Sequence, residues 1–169
     1  MEIRHSTEQD FERIMEIYAI ARQFMADHGN PNQWGPRNWP PADKIHKDIA
    51  DKKSYVCVHD GNVVGVFYYD YGKDIDPCYL DIHDGAWKDD SPYSVVHRIA
   101  ADGSVKGIGT FCLNWAYEKE KHLRIDTHGD NTVMQNLLTK LGFVQCGIIY
   151  VEEDDAPRYA YEKSEAFVS

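Results

Sequence analysis

The residues from 95 to 143 constrain this chain more than any other stretch. They read as a strand (residues 95–101), a glycine-bearing loop (102–109), an amphipathic helix, a second strand (123–127) and a second helix stopped at Gly142. In the first of these helices Ile108, Phe111, Cys112, Trp115 and Ala116 recur at i, i+3, i+4, i+7 and i+8, which predicts one buried face and leaves Glu118, Lys119 and Lys121 to water. A strand that feeds a loop and then a helix aims the helix's first N–H groups, and the positive end of its dipole, at whatever sits in the loop. Gly107 and Gly109 let backbone approach an anion such as phosphate closely, and Lys106 adds a mobile positive charge. Turns and helix starts also use glycine, so the motif alone leaves the anion-site and the purely conformational readings open.

Length and charge narrow the rest. A chain of 169 residues is expected to form a single domain over residues 1–169. With 18 Lys and Arg against 28 Asp and Glu, the formal net charge is −10, which argues against nucleic acid or an anionic membrane as partner. That field suits an amine-bearing small substrate, and it equally serves solubility. Cys57, Cys78, Cys112 and Cys146 form no Cys-x-x-Cys pair and read as buried thiols of a reducing compartment. Neither a signal-peptide core nor a run of membrane-spanning length is visible, so a cytoplasmic protein is expected. None of the eight histidines falls in a His-x-x-x-His pair or a Cys/His cluster, and no metal is expected.

In chain order, Ile3-Arg4-His5 reads as a short strand, and Ser6-Thr7-Glu8-Gln9 has the spacing of a capping box that starts a helix. Ile14, Ile17, Tyr18, Ala21 and Met25 give that helix an apolar face. The following segment carries Trp34, Arg37 and Trp39 among prolines that no helix tolerates. It either staples the loop to the core or walls a substrate pocket with two rings and an arginine. A short helix is expected at 42–52, then strands at 54–59 and 63–70 joined by the hairpin signal Asp60-Gly61-Asn62. Residues 74–90 read as a surface excursion, and as a lid in one reading, around a strand at 79–82. Met134, Leu137, Leu138 and Leu141 give the second helix its face, and strands follow at 143–149 and 158–162. The order implies an α/β fold with a mixed sheet.

Taken together, Val96-His97-Arg98-Ile99-Ala100 running into Lys106-Gly107-Ile108-Gly109, then Arg124-Ile125-Asp126-Thr127 with Asn131, then Lys140-Leu141-Gly142-Phe143, resemble the Gcn5-related N-acetyltransferase (GNAT) superfamily over nearly the whole chain. The resemblance implies a largely antiparallel twisted sheet flanked by helices, with two splayed central strands. It implies acetyl-CoA as co-substrate, held by the backbone of Ile99, Ala100 and Ala101 and by Lys106, Gly107, Ile108, Gly109 and Thr110, with Asn131 beside it. Two positions depart from the family pattern: Ser104 stands where the loop usually opens with Arg or Gln, and Leu138 where many members carry a tyrosine acid.

The implied reaction is direct attack of a primary amine, on a small molecule or peptide, at the acetyl thioester. It needs a base for the ammonium proton and donors for the oxyanion. His97 is the candidate base, with a satisfied sheet histidine as the other reading. Tyr150 is the candidate acid, or else a pocket wall; Asp126 and His128 are further polar candidates that strand-end and turn roles also explain. The partners expected are acetyl-CoA and an amine acceptor, and the protein a monomer or homodimer. The rival function, raised by Leu138 and Ser104, is a non-catalytic acyl-CoA-binding sensor or adaptor. A P-loop nucleotide binder fails for want of Gly-x-x-x-x-Gly-Lys-Ser/Thr.

Overall fold

The computed structural model describes residues 1–152 and 154–167. Seven strands form one sheet in the order β1-β2-β3-β4-β5-β7-β6: β1 (Glu2–His5), β2 (Ser54–His59), β3 (Asn62–Gly72), β4 (Tyr93–Ala101), β5 (His122–His128), β6 (Val144–Ile149) and β7 (Arg158–Ser164). Every neighbouring pair is antiparallel except β4 and β5, which are parallel, so the sheet is mixed and largely antiparallel as expected. Helices α1 (Phe11–Asp27) and α2 (Ala42–Ala50) pack with β2, β3 and the end of β4 through Ile14, Ile17, Ile45, Val56, Val66 and Ala100. Helices α3 (Ile108–Glu120) and α4 (Thr132–Lys140) share a second core with Phe67, Val96, Leu123 and Ile125. Among the described residues no helix is long and apolar enough to cross a membrane.

Local hydrogen bonding departs from the sequence pattern at several points. The capping box uses Thr7 and Asp10 rather than Ser6 and Gln9: the Asp10 carboxylate accepts from the Thr7 N–H at 2.8 Å, while the Ser6 hydroxyl pairs with Ser54. The strand expected at 79–82 is instead a 3-10 turn, Pro77–Leu80, because Asp76 Oδ1 accepts from the Cys78 N–H and Pro77 fixes the first turn. The buried face of α3 is Ile108, Cys112, Leu113 and Ala116. Phe111 and Trp115 sit at its margin, Trp115 against Tyr55, Phe67 and Tyr69.

The excursion is anchored rather than loose. His83 pairs with Ile148 in a β-bridge, Gly85 lies so close to the Cys146 carbonyl that a Cβ would overlap it, and the Lys88 N–H donates to Glu162. A polar knot beneath it joins three elements. Glu162 Oε2 accepts from His122 Nε2 at 2.6 Å and from Arg124 Nε at 2.9 Å, and the Arg124 guanidinium stacks on the rings of Trp87 and Tyr93.

Candidate active site

Two features of β4 make an opening in this sheet. It pairs with β5 only at Ser94↔Leu123 and Val95↔Arg124, and beyond Val95 no pairing between them continues. Against β3, the register passes from Tyr68↔His97 to Val66↔Ala100, three steps on β4 for two on β3, so β4 bulges by one residue. The bulge centres on Arg98, whose φ of +52° is unusual for a residue with a side chain. It is held from both helices: the Tyr18 hydroxyl of α1 donates to the Arg98 carbonyl at 2.7 Å, and the Arg98 guanidinium binds Asp48 of α2 at 2.8 and 3.0 Å while lying over the Tyr68 ring. A bent β4 leaving β5 creates a wedge, and the wedge belongs to a cleft of about 390 Å³.

His97, just before the bulge, lines this cleft and stays partly open at 23% side-chain exposure. Its Nε2 lies 2.5 Å from Asp76 Oδ2, and its Nδ1 lies 3.8 Å from Asp126 Oδ2. Burial works to raise the Asp76 carboxyl, but the His97 hydrogen bond and charge and the Cys78 amide outweigh it, leaving Asp76 below the usual carboxylate value. Ionised Asp76 can only accept, so Nε2 carries the proton in neutral His97 and Nδ1 keeps its lone pair. Asp126 is fixed in turn by the buried Tyr79 hydroxyl, which donates to it at 2.7 Å; burial, then the Asp126 and Asp76 charges, push that phenol well above its ordinary pKa. Arg158 closes the group, with Nη1 3.5 Å from Asp126 Oδ1.

The other expected site residues distribute as follows. Ile99 lines the cleft; Ala100 and Ala101 pair with β3 through Val66 and Gly65, beyond the point where pairing to β5 stops. Lys106 and Gly107 are exposed in the loop, and Gly107 caps α3 with φ +85°. The first amides of α3, at Ile108, Gly109 and Thr110, have no preceding turn to bond to, and Phe111 N–H to Gly107 O begins the helical ladder. Ser104 is engaged by Asp102, whose Oδ1 accepts from both its N–H and its hydroxyl, and Arg13 binds the other carboxylate oxygen at 2.6 Å. Asn131 lines the cleft and caps α4, accepting from the Met134 N–H.

Trp34 and Trp39 line the cleft too. Trp34 is also core, 5% exposed and edge-on to Tyr18, so staple and wall coincide in one residue. Arg37 is exposed and does not line the cleft, and Tyr150 is 48% exposed with its ring on His83, so neither is brought to His97. Leu138 is wholly buried in the α3–α4 core. Asp76 and Arg158 were not singled out from sequence. Asp76 falls in the surface excursion, directly before a proline, and Arg158 is the first residue of a strand, and no spacing ties either to His97. Asp126 carried one signal, since alternation along β5 puts it on the face of Arg124.

No protein-family model and no curated protein matches the chain. Solved structures do. A GNAT-family acetyltransferase from Streptococcus agalactiae superposes with a TM-score of 0.86 at 29% identity, covering 97% of this chain and 95% of that one. A ribosomal-protein-alanine N-acetyltransferase from Brucella melitensis gives 0.65 at 18%, covering 97% and 99%. A GNAT-like decarboxylase, GphF, in complex with isobutyryl-CoA, gives 0.67 at 14%, again covering 97% and 99%. With this sheet, bulge and wedge, the chain is a member of the Gcn5-related N-acetyltransferase superfamily. The last two neighbours share the fold alone, and one of them is a decarboxylase, so the reaction must be argued from the site.

Proposed function

We propose that this protein transfers an acetyl group from acetyl-CoA to a primary amine of a small molecule or peptide by direct attack, with His97 as general base. The observation that carries the reading is the Asp76–His97 pair, 2.5 Å apart, at the mouth of the wedge between β4 and β5. The residues present fit the co-substrate. The unpaired edge of β4 at Ile99, Ala100 and Ala101 offers backbone groups to an amide-bearing chain, and the first amides of α3 with Lys106 suit a pyrophosphate. Acetyl-CoA supplies an acyl carbon activated as a thioester.

The amine reaches the cleft protonated and must lose a proton to attack. His97 Nδ1 takes it, and Asp76 holds the ring in the tautomer that leaves Nδ1 free and stabilises the imidazolium that results. Asp126, tied to Tyr79 and facing Arg158, adds negative charge where the ammonium sits. The new N–C bond forms as the C–S bond breaks, and the sulfur leaves as thiolate. Tyr68 is the only tyrosine among the described lining residues, and its hydroxyl faces Asp70, so the thiolate takes its proton from solvent or from His97.

The test is release of free thiol from acetyl-CoA with a panel of amines, and the mass of each product. Acetylated amine formed in step with thiol is the expected result. Tight acetyl-CoA binding without any acetylated product would leave a binding module and end the transferase reading.

A further inference from the structure

The cleft contains a cation for which His97 chemistry has no use. Arg158 opens β7, lines the cleft, and is 3% exposed. Among the described residues its Nε and Nη2 find no hydrogen-bond partner. Asp126 Oδ1 and Asp154 Oδ2 stand 3.5 and 3.6 Å from its terminal nitrogens, close enough to balance its charge and too far to use its donors well. Buried donors without acceptors are costly, and sites that tolerate them tend to be ones a ligand completes. A guanidinium offers a planar fork of donors, which a carboxylate matches with two oxygens.

Asp126 links this fork to the base. One of its oxygens faces His97 Nδ1 at 3.8 Å and the other faces Arg158 at 3.5 Å, so the place for an ammonium and the place for an anion share one residue. An acceptor that fills both must carry its amine and its anion on neighbouring atoms. The charge of the cleft agrees, for among the described residues of its lining six Asp and Glu are set against five Lys and Arg, which favours a zwitterion over a polycation.

We infer that the acceptor is a free α-amino acid, its amine at His97 and Asp126 and its carboxylate taken by Arg158. The inference rests on the acyltransferase reading above and adds the class of acceptor. The group transfer is the one already described, and its products are an N-acetyl amino acid and CoA, with the carboxylate chemically unchanged.

The experiment compares each L-amino acid with its own amide and with the amine lacking the carboxyl group, as acceptors for the wild-type enzyme, and repeats the comparison with Arg158→Met and Arg158→Lys. Charge-assisted hydrogen bonds of this kind predict a preference of roughly 10²-fold in kcat/KM for at least one amino acid over its amide. Arg158→Met should collapse that ratio toward one, and Arg158→Lys should keep part of it. Equal use of acid and amide by the wild type, or a ratio that Arg158→Met leaves in place, overturns the inference and makes Arg158 a support for Asp126 and Asp154. If Arg158→Met does not fold, the wild-type comparison decides alone.

Thermal shifts of the CoA-saturated enzyme with the same amino acids separate this claim from the one beneath it. Stabilisation by an amino acid and not by its amide, without any acetylation, would keep the carboxylate site and end the transferase reading. Acetylation indifferent to the carboxylate would do the reverse, and neither acetylation nor stabilisation would end both.

Discussion

Two clusters in this sheet are built from the same side chains and come to opposite ends. One is His97, Asp76, Asp126, Tyr79 and Arg158 in the cleft; the other is His122, Glu162, Arg124, Asp89 and Ser164 under the excursion. In the second no buried side-chain donor is left without a partner among the described residues. Glu162 receives His122, Arg124 and the Lys88 amide, His122 Nδ1 faces the Pro92 carbonyl, Arg124 also donates to the Asp89 carbonyl, and Ser164 donates to Asp89. In the first, His97 keeps one nitrogen for the cleft, and Arg158 Nε and Nη2 have no acceptor among the described residues. Histidine, arginine and carboxylate do not make a site by being near one another. A saturated network has nothing left to give a ligand and serves as a clamp, while an unsaturated one beside a cleft can do chemistry.

This contrast can be broken by exchanging the outcomes expected of each histidine and its partners. Replacing His97 with Gln should lower the turnover number roughly 10²- to 10⁴-fold at neutral pH and flatten the acidic limb of the pH profile, with little change in melting temperature. Acetylation rates of the variant against the wild type check it, and a variant with normal turnover and the same acidic limb would put His97 with the clamp.

On the other side, Glu162→Ala leaves His122 and Arg124 buried without their shared acceptor and should cost about 3–5 kcal/mol in urea unfolding. Acid should act on the same cluster. Burial works to raise Glu162, but hydrogen bonds from His122, the Lys88 amide and Arg124 bring it below its ordinary 4.5; burial likewise opposes a fall in Asp89, yet Ser164, Ser91 and His122 lower it to about 2. Carboxyls lowered in the folded state contribute stability that is complete above their unfolded values and is lost as pH falls through the folded ones. Wild-type stability should therefore decline from about pH 4.5 toward pH 2, and in Glu162→Ala that decline should be shallower.

A smaller loss of stability than that of Glu162→Ala is expected at the loop that leads into α3. Gly107 has φ +85° with open space around it, so Gly107→Val meets no clash and carries only backbone strain of about 1–3 kcal/mol. If the α3 amides hold the pyrophosphate, the same change should weaken acetyl-CoA binding measurably by calorimetry. Unchanged affinity would move the cofactor elsewhere.

Periodicity and turn chemistry, which are local, were legible in the chain. Most of the faces of α1, α3 and α4, the hairpin at Asp60-Gly61, the glycine loop and, apart from the strand expected at 79–82, the order of strands and helices come from residues within a few positions of one another. Where a local rule had two solutions, as with Thr7–Asp10 against Ser6–Gln9 or the Asx-capped turn at Asp76, the choice fell to hydrogen bonds that periodicity does not rank. What the chain could not display is how separate segments combine. Asp76 reaches His97 across 21 residues, Tyr79 reaches Asp126 across 47, and Arg158, which is paired with His128, faces Asp126 diagonally from β7. These meetings follow from the bulge at Arg98 and the parting of β4 from β5, which depend on Tyr18 and Asp48 from two helices at once. Local pattern in the chain was enough for most of the elements and for the glycine loop that opens α3. Which histidine is left open and which is closed was settled by packing, because saturation of a polar group is a property of all the segments around it.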